Sequence, residues 1–164
     1  MEGVVINSGA LGGGRKKWHQ GGPQVFYDVP RAYFHAAARR KVYVELPGED
    51  YEEGMCGRLV KAMYGTRDAA QNWEYEYSAM MSEAGFAQGK SNPCVFRHKG
   101  RRIIAVVHGD DFTVGGYVED LDWFKGVIQG RMEVKHNARL GGDPEDDKHV
   151  RVLNTEWPSG RIGG

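Results

Sequence analysis

The feature that most limits how this chain can fold is an apolar run that ends in a short acidic turn. Residues 103–107 read Ile-Ile-Ala-Val-Val, His108-Gly109-Asp110-Asp111 follows, and residues 112–114 resume an aromatic and β-branched pattern. A continuous apolar run of this length is typical of a strand buried on both faces, so we predict that it lies inside a sheet. The Gly-Asp step between the two runs favours a type I′ hairpin turn with both carboxylates at its tip.

The rest of the chain supplies further strands and two helices. Additional strands are predicted at residues 25–29, 41–46, 57–63, 95–97 and 149–153. A short helical turn is predicted within residues 31–40, and amphipathic helices at residues 68–84 and 118–128, where apolar residues recur at three-to-four spacing. This order predicts an α+β fold of the split βαβ (ferredoxin-like) kind, with an antiparallel sheet backed by two helices.

The length of 164 residues suits one domain. Residues 1–24 are rich in glycine and show no periodicity, so we predict a flexible arm there, a single domain over residues 25–157, and a flexible tail at residues 158–164. The sequence has 22 Lys+Arg against 22 Asp+Glu, which excludes a uniformly basic surface that binds nucleic acid by counterion release alone. The basic clusters at residues 15–17, 39–41 and 99–102 are interpreted as solvated surface.

The sequence favours an intracellular protein without a membrane anchor. Its longest apolar stretch, residues 103–107, is far shorter than the roughly 20 residues that a membrane span needs. Two cysteines allow at most one disulfide, and no signal-peptide pattern opens the chain. We therefore expect neither secretion nor a transmembrane helix.

Three aspartates form the candidate chemical site. If the strands at residues 25–29 and 103–107 are neighbours, Asp28 and Asp110 meet at one edge of the sheet, with Asp111 beside them. Carboxylates are hard oxygen ligands that suit Mg²⁺, and a pair of such ions about 4 Å apart can promote phosphoryl transfer. The alternative is structural, because acidic turns and strand-end aspartates are common without any metal.

Separated motifs carry a resemblance to a known family. In chain order they are residues 27–35 (YDVPRAYFH), 41–47 (KVYVELP), 59–65 (LVKAMYG), Trp73, residues 92–96 (NPCVF) and residues 107–111 (VHGDD). In order and spacing these motifs resemble the reverse transcriptase of copia-type LTR retrotransposons, from about residue 25 to residue 157. The resemblance implies a polymerase palm with a β-hairpin of the inner fingers.

The resemblance also implies residue roles at a two-metal site. Asp28, Asp110 and Asp111 would be the catalytic aspartates that bind two Mg²⁺ (or Mn²⁺) ions, and Val29 would add a backbone carbonyl. Tyr33 would be the aromatic gate that excludes a ribose 2′-hydroxyl.

Further nucleotide-binding residues follow from the same resemblance. They are Gly65 beside the incoming nucleotide, Arg67 for phosphate or template, and Lys135 for the pyrophosphate leaving group. By contrast, the apolar spacing of Trp73, Tyr77 and Met81 favours a role in the core over a base-stacking surface.

The sequence departs from the family pattern at two motifs. His108 and Gly109 stand where the family usually has Tyr-Val, and we expect Gly109 to loosen the turn. Residues 67–70 read Arg-Asp-Ala-Ala instead of Lys-Gln-Ala-Pro, which puts Asp68 close to the expected template path.

The implied function is RNA-directed DNA polymerisation, in which a primer 3′-hydroxyl on an RNA or DNA template attacks a dNTP. The implied partners are the template-primer, the dNTP and the remainder of a Pol polyprotein with RNase H and integrase, in a cytoplasmic virus-like particle or the nucleus. We expect weak or no activity from this chain alone, because missing fingers and thumb would remove substrate positioning. The competing hypothesis is a catalytically silent α+β module that binds a partner.

Overall fold

The computed structural model describes residues 22–141, 144–147, 149–152 and 155–158. The arm predicted at residues 1–24 lies outside the described residues except for its last three, of which Gln24 begins the first strand. The tail predicted at residues 158–164 also lies outside, except for Pro158.

The described residues form ten strands, two α-helices and one 3-10 turn. The strands are β1 (Gln24–Asp28), β2 (Tyr43–Val44), β3 (Gly57–Arg58), β4 (Phe86–Gln88), β5 (Val95–His98), β6 (Ile103–His108), β7 (Asp111–Gly116), β8 (Lys135–Leu140), β9 (His149–Val152) and β10 (Thr155–Pro158). The helices are α1 (Ala69–Glu83) and α2 (Val118–Gln129), and the 3-10 turn is Ala32–His35. In the part of the chain that the structure describes, neither helix has the length and apolarity to cross a membrane.

Six strands form the main sheet in the order β4-β5-β6-β7-β1-β8, with every neighbouring pair antiparallel. The prediction that residues 103–107 form an interior strand is confirmed, because β6 is the third strand of the six and Ile103, Ala105 and Val107 are almost fully buried. The prediction that β1 lies beside β6 is wrong, since β7 lies between them. The tight β6–β7 turn makes these two strands neighbours and leaves only the outer edge of β7 for β1.

The strand that closes the sheet also differs from the prediction. Lys135–Leu140 forms the edge strand β8 beside β1, whereas His149–Val152 pairs with β10 in a separate two-stranded sheet. The sequence pattern misses β8 because an edge strand buries few side chains, and only Ala138 and Leu140 of this strand are buried. The strands predicted at residues 41–46 and 57–63 shorten to β2 and β3, which pair only with each other over two residues each.

One face of the sheet and both helices share the main core. Alternate residues of the strands, such as Tyr27 on β1 and Phe112 on β7, are buried in one cluster with α1 and α2. The helix residues in this cluster are Ala69, Trp73, Tyr77, Met80, Met81, Leu121, Phe124 and Ile128. On β1 the intervening Phe26 joins a second, smaller cluster with Ala138 and Leu140 of β8. The predicted α+β class, with an antiparallel sheet and two helices, is confirmed.

Candidate metal centre

The structure brings the three predicted aspartates together. Asp28 ends β1 and lies directly opposite Asp111, the first residue of β7, while Asp110 occupies the turn between β6 and β7. One carboxylate oxygen from each of the three lies within 4.8 Å of the others. The convergence arises from the β1–β7 ladder and not from the β1–β6 pairing that the sequence suggested.

A backbone hydrogen bond continues this ladder past the end of β1. The amide of Val29 donates to the carbonyl oxygen of Asp110 at 2.9 Å, and Val29 is completely buried. The acidic turn is therefore held against β1 by its own main chain, which limits how far the Asp110 and Asp28 carboxylates can separate. The bond involves the N–H of Val29, whereas the backbone ligand that the family resemblance implies is the carbonyl oxygen of this residue.

The acidic turn is a two-residue hairpin loop. His108 pairs with Asp111, so that Gly109 and Asp110 are the two loop residues, and Gly109 has a φ of 62°. Asp110 does not have a positive φ, which makes the predicted type I′ turn wrong, because that turn needs a positive φ at both positions. A positive φ at the first position alone belongs to the II′ class, in which glycine is preferred. Gly109 therefore matches the local geometry of the turn.

The three carboxylates of the cluster carry like charges and repel one another. Burial raises the pKa of Asp111, the nearby carboxylates of Asp110 and Asp28 raise it further, and His108 opposes the effect. The half-buried Asp111 carboxylate loses part of its hydration and faces two like charges, and both effects disfavour its ionised form. A divalent cation would relieve this repulsion, and hard oxygen donors are the ligands that Mg²⁺ and Mn²⁺ take. The donor set and its electrostatics therefore fit a divalent metal site.

Helix α1 contacts the turn through Trp73. The indole Nε1 of Trp73 donates a hydrogen bond to the carbonyl oxygen of Gly109 at 2.7 Å. The same ring packs edge-on against Tyr77 and Phe112 and is 2% exposed. Trp73 is therefore a core residue, as its spacing predicted, and it also holds the turn. Apolar spacing carries no signal for this second contact, because it does not report where an indole N–H points.

An aromatic pair lies on the chain that follows Asp28. Tyr33, in the 3-10 turn, stacks on Tyr64 with ring centroids 4.3 Å apart and an interplanar angle of 28°. Phe34 meets Tyr64 edge-on at 5.7 Å. Tyr33 is half-buried, while the Tyr64 side of the pair is 47% exposed. Both tyrosines belong to the family motifs, but the sequence does not predict that they stack, because they are far apart along the chain.

The segment before α1 carries the next predicted residues. Gly65 has a φ of 87°, with open space where a Cβ would lie, and Arg67 is exposed. Asp68 pairs with the Arg40 guanidinium at 3.0 Å and accepts a hydrogen bond from the Asn72 amide at 3.1 Å. Desolvation raises the pKa of Asp68, but these hydrogen bonds and the Arg40 charge outweigh it, so the pKa is below its ordinary value. The acidic residue near the expected template path is thus paired with a cation.

Lys135 begins β8 and is the backbone partner of Asp28. Lys135 is exposed and lies beside the end of β1, so the start of β8 is next to the aspartate cluster. In the sequence, Lys135 is located only by its position after the second helix and by the family resemblance, and no strand is predicted there.

Comparison with known proteins assigns the family. Residues 21–141 match the family described as Reverse transcriptase (RNA-dependent DNA polymerase). This match covers more than half of the chain, which therefore belongs to the reverse transcriptase family. The resemblance to copia-type LTR retrotransposon enzymes is confirmed.

Curated relatives come from transposons. The chain is 27% identical over 96 residues to the retrovirus-related Pol polyprotein from transposon TNT 1-94 of Nicotiana tabacum, covering 54% of the chain and 7% of that protein. It is 24% identical over 132 residues to the Transposon Ty1-GR3 Gag-Pol polyprotein of Saccharomyces cerevisiae, covering 79% of the chain and 7% of that protein. The chain thus spans about 7% of the length of these relatives.

Proposed function

We propose that this chain contributes the palm and inner-fingers part of a retrotransposon RNA-directed DNA polymerase. The observation that carries the proposal is the convergence of Asp28, Asp110 and Asp111 within 4.8 Å, in a chain that belongs to the reverse transcriptase family. The reaction is attack of a primer 3′-hydroxyl on the α-phosphate of a dNTP, which forms a phosphodiester bond and releases pyrophosphate.

The strand order supports the split βαβ palm. Helix α1 falls between β1 and β6 in the chain, helix α2 falls between β7 and β8, and these four strands lie in the order β6-β7-β1-β8. Two βαβ units are interleaved in such an arrangement, with the outer strands β6 and β8 flanking β7 and β1. Strands β4 and β5 extend the sheet beyond β6, and β2 and β3 form a separate two-stranded sheet. In this proposal the β2–β3 pair would be the inner-fingers hairpin.

The three aspartates would hold the metal ions. Asp28 and Asp110 would ligate two Mg²⁺ (or Mn²⁺) ions, Asp111 would assist, and the backbone carbonyl of Val29 would complete the set. Bound there, the ions would activate the primer hydroxyl and stabilise the leaving oxygen. The protein's own part is to fix the carboxylates through the β1–β7 ladder and through the Trp73 hydrogen bond.

Substrate selection would fall to the aromatic pair and its neighbours. The Tyr33 ring would exclude a ribose 2′-hydroxyl by steric overlap, and stacking on Tyr64 limits its freedom to swing away. Nothing lies within 4 Å of the position that a Cβ would take at Gly65, which leaves room beside the chain for a nucleotide. Arg67 would bind phosphate or template, and Lys135 would donate a proton to the pyrophosphate leaving group.

The partners in this proposal are an RNA or DNA template-primer, a dNTP and the remainder of a Pol polyprotein with RNase H and integrase. The site of action is intracellular, in a cytoplasmic virus-like particle or the nucleus. We expect this chain alone to have weak or no activity, because catalysis by positioning depends on every substrate contact.

Primer extension tests the proposal. The 164-residue chain is incubated with an RNA template, a labelled DNA primer and dNTPs, in Mg²⁺ or Mn²⁺ and in EDTA. We expect slow, metal-dependent extension that Asp110→Asn abolishes and that Asp50→Asn, a change in an exposed loop, preserves. Extension that survives Asp110→Asn would contradict the assigned chemistry. Absence of both extension and metal binding would instead favour the silent module.

A further inference from the structure

The loop that joins β5 to β6 forms a second charged site. Together with the end of β5 it lines an open depression of about 440 Å³. Four of the lining residues are basic, namely Arg97, Lys99, Arg101 and Arg102, and no acidic residue of the described chain lines the depression. We call this depression the basic cup. Its composition suits an anion and excludes a metal cation.

Two arginines of the basic cup are held in place by aromatic rings. The Arg101 guanidinium lies 4.2 Å from the centroid of the Trp123 ring and donates to the Asp120 carboxylate at 3.2 Å. The Arg102 guanidinium lies 3.6 Å from the centroid of the Tyr117 ring. Stacking occupies the face of a guanidinium and leaves N–H donors at its edge, which are the groups that bind phosphate oxygens. Both side chains have thus already lost part of the freedom that binding would otherwise remove.

His98 fixes the backbone of the same loop. Its Nδ1 accepts hydrogen bonds from the amides of Gly100 and Arg101, each at 2.9 Å. Its Nε2 lies 3.0 Å from the carbonyl oxygen of Ala84, so Nε2 carries the proton and donates it. Two hydrogen bonds from loop amides to one imidazole therefore shape the loop, and a third ties the imidazole to Ala84 at the end of α1. Together they set the positions from which Lys99 and Arg101 project.

The basic cup lies at the opposite end of β6 from the aspartate cluster. Strand β6 runs from Ile103, next to the cup, to His108, next to the acidic turn. Five steps of about 3.4 Å separate these residues by roughly 17 Å. One phosphate group cannot reach both sites, so the cup is separate from the metal centre.

The surroundings favour a nucleic-acid backbone over an acidic protein. Protein interfaces depend on buried apolar anchors, and the large apolar side chains most exposed in the described chain, such as Tyr43, Tyr51 and Val60, do not line the cup. Phosphate backbones need no apolar anchor, because their affinity comes from cation contacts and counterion release. We propose that the basic cup binds the phosphate backbone of a nucleic-acid strand without sequence preference. This inference goes beyond the proposed polymerase chemistry and does not depend on it.

Binding of a fluorescein-labelled 20-nucleotide oligothymidylate, followed by anisotropy over a range of NaCl concentrations in EDTA, tests the proposal. The double variant Lys99→Ala/Arg102→Ala should raise Kd at least tenfold at low salt, by about the amount expected for two lost phosphate contacts. The slope of log K against log salt should fall by about 1.4, at roughly 0.7 per contact on a single strand. The matched control is Lys90→Ala, an exposed lysine in the loop between β4 and β5, which should change Kd less than twofold.

Because Arg102→Ala also removes a ring contact, the single charge reversal Lys99→Glu provides a second test that leaves the packing intact. It should weaken binding about three- to tenfold. Unchanged Kd and slope in a folded double variant and in Lys99→Glu would overturn the proposal, as would an equal loss in Lys90→Ala. Binding of poly-glutamate as tight as that of the oligonucleotide would overturn it in favour of an acidic protein partner. EDTA removes any metal-dependent contribution, so a failure of the polymerase proposal leaves this result interpretable.

Discussion

The indole nitrogen of Trp73 donates a hydrogen bond to the carbonyl oxygen of Gly109, 36 residues further along the chain. This bond connects the face of α1 that packs on the sheet to the turn that carries Asp110. The Trp73 ring is 2% exposed, so its N–H has largely given up water and would be left without a partner if this acceptor moved away. The contact therefore couples the stability of the core to the shape of the aspartate cluster.

Replacing Trp73 should damage both the core and the turn. Trp73→Phe removes the donor to Gly109 and part of a ring that is 2% exposed. We expect a loss of about 2–4 kcal/mol in the free energy of unfolding, measured by urea titration, from the lost hydrogen bond and the cavity together. The increase in melting temperature on adding Mg²⁺ should also shrink. Trp123→Phe, at a half-buried ring of α2, is the control and should leave the Mg²⁺ response intact.

Divalent cations should stabilise the folded protein through the aspartate cluster. Ligand binding to the native state at ten times Kd adds about 1.4 kcal/mol, which for a domain of this size corresponds to a rise of roughly 3–6 °C in Tm. We expect this rise with Mg²⁺ or Mn²⁺ in the parent, measured by differential scanning fluorimetry. Asp28→Asn and Asp110→Asn should abolish it, and Asp50→Asn should not. An undiminished rise in Asp110→Asn would place the binding elsewhere.

Asp111 should destabilise the metal-free protein near neutral pH. Its pKa is raised by burial and by Asp110 and Asp28, so ionisation costs more in the folded chain than in the unfolded chain. Folding therefore favours the protonated form of Asp111. The resulting stability of the folded protein is present below the ordinary pKa of an aspartate and is lost as the pH rises through the raised pKa. In EDTA, Asp111→Asn should therefore melt at a higher temperature than the parent at pH 7, with the difference vanishing at low pH. Equal melting temperatures at pH 7 would argue against repulsion in the cluster.

Sugar selection should depend on Tyr33 and, to a smaller extent, on Tyr64. In primer extension, Tyr33→Ala should reduce the preference for dNTP over rNTP at least about tenfold, because the steric barrier to a 2′-hydroxyl is removed. Tyr64→Ala removes a stacked ring contact of about 0.5–1.5 kcal/mol and should shift the preference the same way by about two- to tenfold. Tyr51→Ala, at a ring that is 62% exposed, should not alter the ratio. A Tyr33→Ala ratio equal to that of the parent would reject the gate.

Replacing Gly109 or Gly126 by alanine should change the free energy of unfolding in opposite directions. A Cβ at either position meets nothing within 4 Å, but Gly109 has a φ of 62° and Gly126 lies inside α2. Gly109→Ala should cost roughly 1–2 kcal/mol of unfolding free energy because the left-handed region is unfavourable for an L-residue. Gly126→Ala should add about 0.5–1 kcal/mol by reducing the entropy of the unfolded chain. Urea titration of the two variants measures both signs, and stabilisation by Gly109→Ala would contradict the turn geometry.

Local patterns in the sequence predict the helices and the central hairpin well. The residues that carry the periodicity, such as Trp73, Tyr77 and Phe124, are buried where the pattern places them. Local patterns do not predict the order of the strands, because the neighbour of β1 is decided by long-range pairing. The edge strand β8 was missed because Lys135, His136 and Asn137 at its start are exposed, so no alternation signals a strand.

The candidate site, too, could be predicted only in part from the sequence. The presence of Asp28, Asp110 and Asp111 at strand ends could be seen in the sequence, and the structure brings their carboxylates together. Their supporting contacts could not, because the Trp73 indole and the Tyr64 ring reach the site only through tertiary packing. Catalysis by these residues stays a prediction until the variants are measured.

The pairing of Asp28 with Asp111 has a consequence for misfolding. Side chains on a strand alternate between faces, so sliding β1 by one residue against β7 would turn Asp28 toward the helices and expel Tyr27 from its buried place. Such an error is unfavourable for two reasons, because it turns the charge of Asp28 toward the core and removes the Tyr27 ring from it. A sheet whose apolar layer is intact therefore cannot carry this one-residue error at its acidic groups.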